Sequence, residues 1–170
     1  MDERKTVYKW FWIWDFEKEE RWLNSMAMQG WALCEVGFCK YVFERTEPGE
    51  YIIRSEMRRE DAEYEAFLEE LGAEKVGRMV QWLYYRRRAE EGPFDLFSDI
   101  DSRIAHMDRI AIMLLAGGMM NLVIGVMNCL GNYASAGGVV NLLVATLLMY
   151  ALGRIRGKAE ALKQERELHE

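Results

Sequence analysis

The sequence predicts an α+β domain followed by a C-terminal hairpin of two membrane-spanning helices. Three observations lead there. Charge is confined to the ends of the chain: residues 1–109 carry 17 Lys and Arg against 24 Asp and Glu, residues 154–170 carry five against four, and residues 110–153 carry none. That uncharged stretch is apolar throughout and long enough for two helices across a hydrocarbon core of about 30 Å. Ahead of it, β-branched and aromatic runs alternate with helical periodicities, as in a domain that packs helices on an antiparallel sheet.

The elements follow in order. Val7–Trp14, VYKWFWIW, is a strand by content, with Val7, Phe11 and Ile13 on one face and Tyr8, Trp10, Trp12 and Trp14 on the other. Asp15 is placed to cap a helix that ends at Gly30. WALCEVGFC and KYVFERT follow as strands, EPGE is a turn, and YIIRSEM is a further strand. Asp61 opens a second helix whose Tyr64, Phe67, Leu68 and Leu71 recur at i, i+3, i+4, i+7, with Gly72 closing it. AEKVG and VQWLYYRRR are one bent strand or a hairpin. The order βαβββα plus one or two strands describes a two-layer antiparallel sheet with both helices on one face, related to the ferredoxin-like arrangement.

From this the domains are residues 1–96 as a cytosolic domain, 97–109 as a helical stalk, 110–130 and 134–153 as spans, and 154–170 as a charged tail. Ile110–Leu130 has 21 residues, about 31 Å as a helix. A buried helix of a soluble protein should keep a polar stripe toward water, and neither run has one. Arg103 and Arg109 precede the first span and Arg154, Arg156 and Lys158 follow the second, which places both termini in the cytoplasm. No apolar run of signal-peptide length follows MDERKTVYKW, so no signal peptide is expected. Gly118, Asn121, Gly125 and Asn128 on the first span, with Gly138, Asn141 and Ala145 on the second, form a seam of small and polar residues. Such a seam suits close helix packing in lipid, with a hydrogen bond between Asn121 and Asn141 expected.

Chemistry is sparse. Cys34, Cys39 and Cys129 have no metal-ligand spacing and read as reduced, packing thiols. His106 and His169 lie in the stalk and at the terminus, and no nucleophile–base pair or phosphate-cradling glycine loop is present. Glu19-Glu20 and Glu69-Glu70 are expected on solvated helix faces. No enzyme, cofactor or metal site is predicted. The acidic domain argues against nucleic acid as a direct partner, and Arg86-Arg87-Arg88 reads as a solvated strand end.

Glu19-Glu20-Arg21-Trp22-Leu23-Asn24-Ser25-Met26-Ala27, then Gly30-Trp31-Ala32-Leu33, YVFERTEPGEYIIR, LEELGAEKVG, WLYYRR and FDLFSDIDSRI occur in sequence. Together they resemble the DUF2812 family, a bacterial domain family without an assigned activity, over roughly residues 7–110. Ala73, where the family often has Trp, and Arg21 depart from the pattern. The resemblance implies a C-terminal membrane anchor in the bacterial cytoplasmic membrane and an association with PadR-like transcriptional regulators. It supplies no catalytic residues.

The functional expectation is a membrane-anchored cytosolic module that binds protein through Tyr8, Trp10, Trp12 and Trp14. Its expected partners are membrane lipid and either a regulator or a second copy of the chain. The alternatives are a sensor of a small amphipathic or aromatic compound and a structural subunit of a membrane complex.

Overall fold

The computed structural model describes residues 3–130 and 136–169. The chain divides after Ser98 into two compact units, an α+β domain and a helical hairpin. The α+β class and the C-terminal hairpin are as the sequence predicts.

The domain contains β1 (Arg4–Tyr8), α1 (Phe16–Ala27), β2 (Trp31–Gly37), β3 (Lys40–Arg45), β4 (Tyr51–Met57), α2 (Ala62–Glu70), β5 (Glu74–Met79) and β6 (Trp82–Arg88). Its strands form two antiparallel three-stranded sheets, ordered β1-β3-β2 and β4-β6-β5. The same βαββ unit therefore occurs twice, with its last strand central each time. The correspondence extends to detail. Left-handed Gly30 and Gly72 end the two helical segments, and the register shifts at Cys34 and at Val76. Two-residue turns then follow at Phe38-Cys39 and Val80-Gln81. These pairs of positions stand at a constant interval along the chain.

Helix α2 starts where expected, the Asp61 carboxylate accepting from the backbone N–H groups of Glu63 and Tyr64. Asp15 precedes α1 but forms no capping bond; its carboxylate pairs instead with Lys18 at 2.7 Å. The two helices lie on opposite faces of the second sheet, not together on one. Alternation along β6 shows this. Trp82 and Tyr84 meet Phe16 and Glu19 of α1, while Leu83 and Tyr85 pack with Leu68, Ala73 and Phe94. The segment GPFDLF thus covers the second sheet beside α2. Only Leu68 of the α2 stripe is buried, and Phe67 and Leu71 remain half exposed.

Two polar devices tie the sheets together. Arg86, expected in solvent, is buried: it pairs with Glu44 of β3 and with Glu74 of β5 at 2.8 Å, and donates to the Leu33 carbonyl at 3.1 Å. Arg87 instead donates to the Gly92 and Pro93 carbonyls, and Arg88 is exposed. On the other side α1 closes the free edge of β4. The Asn24 amide accepts from Ile53 N–H at 3.0 Å and donates to Ile53 C=O at 2.9 Å, while Glu20 accepts from Ser55 N–H. Edge-strand groups that would otherwise recruit another strand are thereby occupied.

The second unit pairs α3 (Ile100–Leu130) with α4 (Ala136–His169). Both are long and apolar enough to cross a membrane. Ile104, Met107, Ala111, Leu114, Gly118, Asn121 and Gly125 recur at alternating intervals of three and four, and all are buried or half-buried. That periodicity is a coiled-coil seam, met from α4 by buried Gly138, Ala145, Ile155 and Ala159. The expected start of the second span, Ala134, lies outside the described residues. With 31 residues, α3 is about 46 Å long, so the stalk and the charged tail extend the hairpin beyond the apolar run. Asp101 and Arg166 close this end with an ion pair at 2.7 Å.

Candidate functional site

The aromatic segment at the start of the chain is the first candidate, and it is built differently from the expected strand. β1 ends at Tyr8, so Lys9–Trp12 are irregular and Ile13–Asp15 form a 3-10 turn. The cause is the length of its partner. β1 runs antiparallel to β3, Tyr8 pairs with Lys40, and β3 begins at Lys40 after the Phe38-Cys39 turn. Beyond Tyr8 no strand remains to pair with; one further bond, Lys9 N–H to the Cys39 carbonyl, ends the ladder.

Side chains still alternate along this segment. Trp10 and Trp12 contact each other edge-on at 5.4 Å, and Trp10 contacts Phe38 at 5.9 Å. Tyr8, Trp10, Trp12 and Phe38 are 75, 55, 42 and 76% exposed, whereas Trp14 is 8% exposed and stacks under Trp12 at 5.0 Å. Three of the four expected face residues are therefore at the surface, and Trp14 supports them from below. Phe38, contributed by the β2–β3 turn, is an added member.

Lys9 and Phe11 turn the other way, toward α1. Phe11, Trp22 and Tyr41 form a triangle of rings with centroids 5.5, 5.0 and 6.4 Å apart, and Lys9 Nζ lies 4.4 Å from Trp22 and 4.9 Å from Phe11. Behind them is the polar centre of the domain. Glu19 Oε1 accepts two hydrogen bonds, from Tyr41 at 2.8 Å and from Tyr84 at 2.7 Å, joining α1 to the central strand of each sheet. Glu19 is buried, not solvated as expected, while Glu69 and Glu70 are exposed as expected. Burial holds its carboxyl above the ordinary carboxylate range, and the two phenol hydrogen bonds offset this only in part. Tyr41 and Tyr84 are pushed up as well, by burial and then by the Glu19 charge. Glu20 is also raised by burial, against the pull of Arg54 and the Ser55 N–H.

The sequence held a signal for Glu19: Phe16, Glu19, Leu23 and Met26 lie at helical spacing, and all four are buried. A carboxylate inside an apolar stripe belongs to the packed face. The Lys9–Phe11–Trp22–Tyr41 group had no comparable signal, because it joins the irregular segment, a helix and a strand.

In the hairpin, Gly118, Gly125, Gly138 and Ala145 are buried, Asn121 and Asn141 half-buried, and Asn128 exposed. The glycines mark close approach. A Cβ at Gly125 would lie 2.9 Å from the Leu142 side chain and 3.1 Å from its backbone nitrogen; one at Gly138 would lie 3.2 Å from the Asn128 Cβ. Asn121 does not bond across to Asn141 but donates to the Gly117 carbonyl of its own helix at 2.9 Å. Among the described residues no group of three or more His, Cys, Asp or Glu could hold a metal ion.

A family model described as "Protein of unknown function (DUF2812)" matches residues 15–119. The matched stretch takes in Glu19, Trp22, Tyr41 and Tyr84 and runs into α3, and it begins just after the aromatic segment. No curated protein and no solved structure matches the chain.

Proposed function

The chain belongs to the DUF2812 family, and on that premise we propose that it is a membrane-anchored regulatory module that binds a protein partner on its cytosolic side. The observation that carries the reading is the exposed cluster of Tyr8, Trp10, Trp12 and Phe38. Trp and Tyr are the residues that dominate protein interfaces, since each buries a large rigid area at small entropic cost. A surface of this kind left bare would promote association in any case.

The anchor is the α3–α4 hairpin, which inserts into the bacterial cytoplasmic membrane with both chain ends in the cytoplasm. Burial supports this. Only 28% of the apolar window of α3 and 17% of that of α4 are covered inside the structure, where a soluble core helix would be mostly covered. Ile112, Met120, Leu143 and Tyr150 are among the large side chains facing outward. Tethering confines the domain to a thin layer and raises its effective concentration toward anything else at that surface. A PadR-like transcriptional regulator is the partner proposed; held at the membrane, it is kept from its operator.

Titration of the full-length protein in lipid nanodiscs with a PadR-like regulator from the same cell tests this. Saturable binding that disappears in Trp10→Ala/Trp12→Ala, with far-ultraviolet circular dichroism unchanged, is the expected result. Binding that survives the double substitution removes the aromatic cluster from the reading, and no binding by the unsubstituted protein removes the regulator.

A further inference from the structure

Phe11, Trp22 and Tyr41 are three rings in mutual contact from three different elements, and a cation already sits on two of them, Phe11 and Trp22. Lys9 Nζ is within 5 Å of two ring centroids, inside the distance at which the negative face of an aromatic ring attracts positive charge. Tyr41 carries a second feature. Its hydroxyl donates to the buried Glu19 carboxyl group, which ties the ring to α1. Among the described residues no Lys or Arg pairs with Glu19; its hydrogen-bond partners are two phenols. Aromatic faces that already hold one cation are the chemistry that selects organic cations.

Lys9 is an imperfect occupant. It is exposed, it reaches the rings on a flexible four-carbon stem, and its ammonium is compact and strongly hydrated. A quaternary ammonium carries the same charge on apolar methyl groups, so it is more weakly hydrated and offers more surface to the rings. We propose that the faces of Phe11 and Trp22, supported by Tyr41, are a binding site for a quaternary ammonium group, which Lys9 occupies in the free protein and vacates when the ligand binds. The site is distinct from the Trp10–Trp12–Phe38 surface, because side chains on this segment alternate between the two. The choline headgroup of a lipid and a free soluble cation share this chemistry.

The test is isothermal titration of the full-length protein with choline, in maltoside micelles that contain no ammonium group. Its neutral isostere 3,3-dimethylbutanol is the control. Lys9→Met, which keeps the stem and removes the competing charge, should bind choline more tightly than the natural chain, by about tenfold where a partly desolvated cation–π contact is being replaced. Trp22→Leu and, separately, Phe11→Leu should weaken choline binding by about the same factor, each checked for retained circular dichroism. The alcohol should bind none of them. Nanodiscs of phosphatidylcholine and of phosphatidylglycerol separate the sources. Choline binding lowered only in the former identifies the lipid headgroup, and equal binding in both identifies a soluble cation. The proposal is overturned if Lys9→Met shows no saturable choline binding, if the alcohol binds as well as choline, or if both ring substitutions leave binding unchanged.

Discussion

Glu19 is the residue on which the domain's interior turns. One oxygen receives both phenol hydrogen bonds, from Tyr41 of one sheet and Tyr84 of the other. Replacing it by Ala leaves two buried hydroxyls without an acceptor, and each such group costs about 1–3 kcal/mol. Glu19→Gln behaves oppositely, because the amide oxygen can still accept both bonds and carries no charge to desolvate. Burial raises the Glu19 carboxyl above its unfolded value, so the protonated form is the one folding favours. Its contribution to stability is complete below the unfolded carboxyl value and declines as the pH climbs through the raised one. Thermal unfolding of the full chain in micelles, followed by near-ultraviolet circular dichroism from pH 4 to 8, should show a fall in midpoint with rising pH. Glu19→Gln should flatten that fall, and Glu19→Ala should lower the midpoint at every pH. A Gln variant that keeps the slope would assign it to another group, with the half-buried Glu20 next on the helix.

At the scale of elements, what could be read from the sequence was what local chemistry decides. YIIRSEM is β4 to the residue, and Asp61 caps α2; these depend on neighbours a few positions away. The extent of β1 was not legible, because β-propensity records how well a side chain packs on a pleated surface and says nothing about where the partner strand stops. Arg86 was misread for a similar reason: Glu44, its partner in the other sheet, is known only once both sheets are assembled. The Phe11–Trp22–Tyr41 cluster was hidden likewise, whereas the exposed Trp residues of the candidate surface were visible as a run. In the hairpin, the glycines differ in consequence between the helix contact and the exposed side. Gly125 faces Leu142 with no room for a methyl group, while nothing lies within 4 Å of a Cβ at Gly157. Gly125→Ala should therefore push the helices apart and lower the midpoint for loss of hairpin structure in a detergent titration. Gly157→Ala should raise it, by up to about 1 kcal/mol from helix propensity alone. Equal responses at the two positions would mean that the seam does not hold the hairpin together.

For the whole molecule, the decisive contrast is between two kinds of surface on one chain. The domain carries most of its charge outward and pairs Arg86, Asn24 and Glu19 with partners inside it. The hairpin does the reverse over residues 110–153, which have no charged side chain and turn Ile124, Leu143 and Val144 outward. The hydrophobic effect cannot leave both surfaces in water, so the reading of the molecule as membrane-anchored stands on the second. A charge introduced there separates the possibilities. A Lys at the middle of a span costs about 2.5–3.5 kcal/mol on insertion scales, whereas on a water-facing helix it costs little and improves solubility. Ile124 and Leu143 are both outward-facing within the uncharged run, so Ile124→Lys/Leu143→Lys should move the full-length protein from the carbonate-resistant membrane fraction into the soluble or aggregated fraction. The natural chain should stay with the membrane. If instead the natural chain is released by carbonate and the double variant is merely more soluble, the outward apolar surface meets another protein rather than lipid, and the tethering on which the proposed regulation depends is lost with it.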